Sequence, residues 1–273
     1  MADGEKMHRE IVGMSYNSAR DELFLTYRND GVVRAMRLRD NAGDLRDVYR
    51  AAPIINSVCH MSDSDTLLVC SGETKLNRYI TNWLVALSRN GSEWREAHRV
   101  QTDGIGRISC ALSDSRVLIC QWGSTYMELF PVESGPRIAR VHRINLPEKY
   151  YWFSATCGSD TLVAMSYWKY LYTDQSVRVH RLRGDRLEEL ARIQLKSSGR
   201  LLWLADRLLV ADFDRENQSD VVIELEVSDK RLERRRELIA TSEKIDVHIF
   251  CAVNDGLAIF DENSKDILHY SFD

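Results

Sequence analysis

The sequence predicts an all-β chain, a six-bladed β-propeller of four-stranded antiparallel blades. Three observations carry that prediction. A short polar turn followed by about four apolar residues recurs six times, the copies are regularly spaced, and each is followed by a second alternating run.

The six copies are ARDELFLT (19–26), SDSDTLLVC (62–70), LSDSRVLIC (112–120), GSDTLVAM (158–165), LADRLLVA (204–211) and VNDGLAIF (253–260). Their last residues are 26, 70, 120, 165, 211 and 260, and subtraction gives spacings of 44, 50, 45, 46 and 49. Internal self-similarity at such a period marks a radial or solenoidal repeat, and runs this short and this rich in β-branched residues are strands.

Each copy supplies the second strand of a unit, B. The runs after it, VVRAMRLR (32–39), WLVALSR (83–89), YMELFPV (126–132), SVRVHRL (176–182), VVIELEV (221–227) and DILHYSF (266–272), supply the third, C. A β-prone run before each turn, such as INSVCHM (55–61) or RISCAL (107–112), supplies the innermost strand, A. Five units add a charged fourth run, D: LRDVYRA (45–51), EWREAHRV (93–100), PRIARVHRI (136–144), LEELARIQL (187–195) and LERRRELIA (232–240). Two of these look helical alone, but their place in the repeat predicts outer edge strands whose charge discourages edge-to-edge pairing. The same reasoning makes KRLERRR (230–236) a solvated edge rather than a nuclear-import patch. The sixth unit stops after its third strand, so EKMHRE near the N-terminus is the candidate for its fourth.

Four strands per unit and six units give one propeller domain over 1–273, with blades near 11–52, 53–102, 103–147, 148–196, 197–241 and 242–273. The repeat resembles the broad WD40-like and NHL-like propeller group in architecture. The Gly-His, Trp-Asp and YWTD signatures of particular propeller families are missing.

Composition narrows the function. The 37 basic and 41 acidic residues leave a formal charge of −4, without the basic field of a nucleic-acid binder. No apolar run approaches the ~20 residues of a membrane span. The opening MADGEKMHRE has no apolar leader-like stretch, which predicts a cytoplasmic chain. The six cysteines, 59, 70, 110, 120, 157 and 251, fall in β-like runs with no CxxC pair and read as reduced, buried thiols. GxSxG, HExxH, P-loop and EF-hand strings are absent, and no cofactor is expected.

With strands running A to D outward, the B–C and D–A connections share one face. The B–C segments, 27–31, 71–82, 121–125, 166–175, 212–220 and 261–265, vary in length, whereas the A–B turns hardly do. Aromatic residues gather in the variable segments. SYWKYLYTDQS (166–176) holds Tyr167, Trp168, Lys169, Tyr170 and Tyr172; other blades add Arg78 and Tyr79, Trp122, and Phe213 with Arg215. The D–A connections add Tyr150, Tyr151, Trp152 and His248. Tyr and Trp offer large, rigid contact area for little rotamer entropy and dominate binding hot spots.

The expectation is therefore a non-catalytic module that binds a protein or peptide through this face, with Asp174 and Asp214 helping to set polarity. Framework agreement with divergence on one face also fits a hypervariable or engineered surface. The plainer reading is that these aromatics pack together or prolong a hairpin, and Trp203 and Phe153 are the residues to which it applies most. The enzymatic alternative is a metal-dependent, lactonase-like hydrolase using Asn56, Asp103, Glu148 and Asp246 as oxygen ligands at the channel mouth. A carbohydrate-binding propeller is a further alternative, weakened because the loops differ from blade to blade.

Overall fold

A computed structural model of the chain describes residues 11–27, 30–38, 45–51, 54–75, 78–103, 106–112, 116–121, 126–133, 136–139, 142–146, 151–159, 161–168, 175–195, 199–204, 207–214, 219–228, 231–239, 247–254, 256–261 and 266–272; for some strand residues among them only the backbone is described.

The described residues form an all-β propeller of antiparallel meanders. The first blade contains β1 (Ile11–Asn17), β2 (Glu22–Tyr27), β3 (Val32–Arg37) and β4 (Arg46–Arg50). The second contains β5 (Ile54–Met61), β6 (Thr66–Lys75), β7 (Arg78–Asn90) and β8 (Glu93–Thr102). The third has β9 (Gly106–Leu112), β10 (Arg116–Gln121), β11 (Tyr126–Glu133), β12 (Arg137–Ile138) and β13 (His142–Asn145), the last two both pairing with β11. The fourth has β14 (Tyr151–Ser159), β15 (Leu162–Trp168), β16 (Gln175–Arg183) and β17 (Arg186–Gln194). The fifth has β18 (Leu201–Leu204), β19 (Arg207–Asp214), β20 (Ser219–Val227) and β21 (Leu232–Ile239). The sixth has β22 (Val247–Val253), β23 (Gly256–Asp261) and β24 (Ile267–Ser271). A single parallel pair, Asn145 with Arg186, links the outer edges of the third and fourth blades.

The helical-looking LEELARIQL and LERRRELIA are outer strands β17 and β21, as the repeat predicts. Cross-strand partners on β16 and β20 override their local preference. The only helical element among the described residues is the 3₁₀ turn Ser62–Ser64. No described helix is long and apolar enough to cross a membrane.

The B strands explain why the repeat is legible. Each lies between two neighbouring blades, so both of its faces are buried and its sequence is continuously apolar. In β2, Leu23 and Leu25 pack toward the sixth blade, while Phe24 packs toward the second. In β6, Leu67 and Val69 face the first blade, and Leu68 and Cys70 face the third. The same division recurs through β10, β15, β19 and β23, so a hydrophobic cluster fills each space between consecutive blades. Each such side chain contributes roughly 1.5–3 kcal/mol on burial.

The ring closes without a described fourth strand in the last blade. Ile11, Met14, Leu23 and Leu25 pack on Ile249, Cys251, Ala258 and Phe260, and β1 adjoins β22 as each innermost strand adjoins the next. The approach of inner strands is close: a Cβ on Gly13 would lie 3.0 Å from the Ser57 Cα of β5. EKMHRE lies outside the described residues.

Several expected loops are strand. Segment 71–82 is mainly the tip of a long β6–β7 hairpin, paired as far as Lys75 with Arg78. Segment 166–175 loses Ser166–Trp168 to β15 and Gln175 to β16, and 212–220 loses its ends to β19 and β20. Backbone pairing continues past the apolar repeat because a ladder needs hydrogen bonds, not apolar side chains.

Candidate recognition face

The A strands begin, the B strands end, the C strands begin and the D strands end at one end of the ring. That end carries the backbones of those predicted aromatic residues that are described. In the fourth blade Tyr151 pairs with Trp168 and Trp168 with Gln175, so the outermost cross-strand row opens directly into segment 169–174. Trp152, Tyr167, Ser176 and Gln194 form the row beneath it. In the second blade Thr74 pairs with Tyr79 and Lys75 with Arg78 at the hairpin tip. In the fifth Phe213 pairs with Asp220, and in the sixth His248 follows Val247 at the start of β22.

The strands thus place the backbones of Arg78, Tyr79, Tyr151, Trp152, Trp168, Phe213 and His248 at this end; their side chains are not among those described. Trp122, Tyr150, Lys169, Tyr170, Tyr172, Asp174 and Arg215 lie outside the described residues. Asp214 ends β19.

Tyr167 is a correction. Its side chain is only 2% exposed and belongs to the cluster between the third and fourth blades, so it is not part of an open surface. The guanidinium of Arg178 lies 4.7 Å from its ring centre, and its hydroxyl lies 3.3 Å from His180 Nε2. Arg178 donates to Ser176 Oγ at 3.3 Å and pairs with Glu189 at 3.3 Å. Burial pushes the His180 imidazole down to about 4, assisted by the Arg178 charge and opposed by a backbone hydrogen bond with Val163.

The first blade repeats this arrangement at corresponding positions. Arg34 lies 4.8 Å from the centre of the Tyr27 ring and makes 2.9 Å contacts with both Asp30 and Asp47. Burial alone would lower the Arg34 pKa, but the hydrogen bonds with the two carboxylates raise it.

Tyr27 and Tyr167 occupy a position that sequence reasoning missed. Packing direction aligns Tyr27, Ser71, Gln121, Tyr167, Asp212 and Asp261 as the residue that ends each B-strand stripe facing the preceding blade. All six are polar, and the five whose side chains are described are buried. The signal was in the sequence, as a polar residue just past each apolar string. In the fourth blade the residue just past the apolar string is Ser166, and the stripe of Val163 and Met165 ends one residue later, at Tyr167.

Trp203 is a packing residue. It sits on β18 opposite Leu208, toward the A–B end, and its backbone N–H donates to Thr156 Oγ1 at 3.0 Å. A Cβ on Gly158 would fall 2.1 Å from its ring. Phe153 lies in β14, and its side chain is not described.

Between the second and third blades the face carries a charged group. The Tyr126 hydroxyl donates to Asp103 Oδ2 at 3.3 Å, Arg143 contacts the same carboxylate, and the Arg143 guanidinium lies 4.8 Å from the Tyr126 ring centre. The Asp103 N–H donates to buried Glu128 at 3.4 Å. Burial raises the Tyr126 pKa, and the Asp103 and Glu128 carboxylates add to the rise while Arg143 opposes it.

Of the four candidate metal ligands, Asn56 is half-buried on β5 and Asp103 is engaged by Arg143 and Tyr126; Glu148 and Asp246 lie outside the described residues. Among the described residues no three His, Cys, Asp or Glu side chains gather as a metal-binding group. The basic residues of KRLERRR are largely paired: Arg235 and Arg236 clasp buried Glu224 at 3.0 and 2.9 Å, and Arg234 contacts Glu237.

No protein-family model matches the chain, and no curated protein matches it in sequence. Solved structures do match in shape. A provisionally assigned 6-phosphogluconolactonase from Bacteroides uniformis aligns with a TM-score of 0.63 at 11% identity, covering 96% of this chain and 81% of that one. A streptogramin B lyase gives 0.63 at 11%, covering 96% and 83%. A chain of a mitotic checkpoint complex gives 0.59 at 8%, covering 95% and 90%. Enzymes and an assembly component thus share one architecture, and at these identities the likeness shows the β-propeller fold alone.

Proposed function

We propose that this chain is a non-catalytic recognition module: a single six-bladed ring that binds a protein or peptide through the end where its A strands begin and its B strands end. One observation carries the reading. Tyr151 and Trp168 are direct cross-strand partners in the last row before a segment containing Tyr170 and Tyr172, on a framework whose B strands are rigidly packed on both sides. Aromatic anchors on such a framework give up little conformational entropy on binding. The presence of a propeller chain in a mitotic checkpoint complex supports a protein partner by analogy of fold only.

The test is a paired affinity enrichment with wild-type chain and a Trp168→Ala/Tyr170→Ala variant as baits, using circular dichroism to confirm that both are folded. The proposal expects a partner retained by the wild type and lost by the variant. It fails if no partner depends on these side chains, or if the chain hydrolyses lactones with a metal requirement abolished by Glu148→Ala.

A further inference from the structure

Asn-Gly occurs once in the chain, at Asn90–Gly91, and the fold places it at the tip of the β7–β8 hairpin. The ladder closes on the pair of Asn90 with Glu93, which leaves Gly91 and Ser92 as a two-residue loop. Gly91 has a φ of 64°, in the left-handed region that a type II′ turn requires at its first central position. Asn90, Gly91, Ser92 and Glu93 are all exposed. A Cβ on Gly91 would meet nothing within 4 Å, so the space beside the loop is open.

Two features make this peptide reactive. The Gly91 N–H lies beyond the last ladder pair, and among the described residues neither it nor the Asn90 carboxamide has a hydrogen-bond partner. Bringing that nitrogen onto the Asn90 side-chain carbonyl carbon needs rotation about the Asn90 Cα–C bond, which only the terminal ladder pair resists. A terminal pair opens most easily, and glycine adds no Cβ to crowd the ring that forms. Asn17 has the same carboxamide in the opposite setting. It is 2% exposed, donates to Asp65 Oδ1 at 3.5 Å, and accepts from the Ala19 N–H at 3.1 Å.

We propose that Asn90 is a self-modification site, converted through a cyclic imide with Gly91 into aspartate and isoaspartate. The Gly91 nitrogen forms a bond to Asn90 Cγ, the Cγ–Nδ2 bond breaks, and the Gly91 amide proton leaves with Nδ2 as ammonia. Water, the only co-reactant, then opens the imide. Addition at Cγ gives aspartate, and addition at the Asn90 main-chain carbonyl carbon gives isoaspartate. Either product sets a carboxylate opposite Glu93, and like charges directly across a ladder repel. Isoaspartate also lengthens the main chain by one carbon at a turn whose Gly91 carbonyl accepts from Arg89 Nε at 3.0 Å. Arg89 pairs with Glu22 of the first blade at 2.9 Å and lies 5.3 Å from the Trp94 ring centre. The modification thus reaches a contact between the first two blades. The site is at the end opposite the recognition face and does not depend on that reading.

The test incubates the full chain at mildly alkaline pH, native and unfolded in guanidinium chloride. Its peptides are then followed by mass spectrometry with fragmentation that separates aspartate from isoaspartate. In the native chain residue 90 is expected to gain one mass unit before any other asparagine, as a mixture of both products. Its native rate is expected within tenfold of its unfolded rate, whereas Asn17 converts only when the chain is unfolded. Asn90→Gln should slow conversion at this position at least tenfold, because the longer side chain must close a six-membered ring. A native rate more than tenfold below the unfolded rate overturns the inference, since the hairpin then protects the site. Another asparagine reacting first in the native chain, or aspartate formed without isoaspartate, overturns it as well.

Discussion

The Tyr167 hydroxyl and His180 Nε2 lie 3.3 Å apart inside the crevice between the third and fourth blades. Both side chains are buried, and the Arg178 guanidinium beside them adds positive charge that disfavours a second cation. His180 is therefore held neutral, with its pKa pushed down to about 4 from an ordinary 6.5.

That shift predicts acid sensitivity. The unfolded chain binds a proton on this imidazole below about 6.5, while the folded chain resists binding one until about 4. Stability from this group is complete above 6.5, declines as pH falls from 6.5 to 4, and loses about 3 kcal/mol across that interval. Urea unfolding at pH 7 and pH 4.5 is expected to show a smaller pH-dependent loss in His180→Gln than in wild type. Equal losses would remove His180 from the account.

Gly158 and Trp203 give a packing prediction. Because a Cβ at 158 would enter the indole, Gly158→Ala should destabilise by about 1–3 kcal/mol. Combining it with Trp203→Leu should cost less than the sum of the single changes, since both act on one contact. Strict additivity in denaturant titrations would show that the two residues do not meet.

Cysteine reactivity probes ring closure. Burial raises the Cys251 thiol to about 12, and this residue belongs to the cluster joining the sixth blade to the first. Cys59 is partly exposed. Alkylation of the native chain near pH 7.5, read by peptide mass spectrometry, should modify Cys59 well before Cys251. Early labelling of Cys251 would mean that the sixth and first blades are open to solvent.

The framework was legible in the sequence because the B strands bury both faces: strings such as LLVC and LLVA must be apolar throughout, and they recur at the blade period. The outer strands were legible only by position, since LERRRELI carries a local helical pattern that its pairing with β20 overrides. The site was less legible. Tyr167 is chemically indistinguishable from its aromatic neighbours, and only packing direction shows that it faces Arg178 in the interior. Asp103 and Glu128 are far apart in sequence, and the Asp103 N–H reaches the Glu128 carboxylate only because consecutive blades pack side by side. Asp103 was singled out as an oxygen ligand, and Arg143, which engages its carboxylate, was not anticipated.

The central claim is that the aromatic end of the ring is the end that binds. The most direct measurement is the dissociation constant of the enriched partner for wild type, Trp168→Ala and Glu93→Ala, the last an exposed control at the β7–β8 turn on the opposite end. The account predicts at least tenfold weaker binding for Trp168→Ala and a change within twofold for Glu93→Ala. Equal effects, or a larger loss at Glu93, would contradict it and place recognition on the other face.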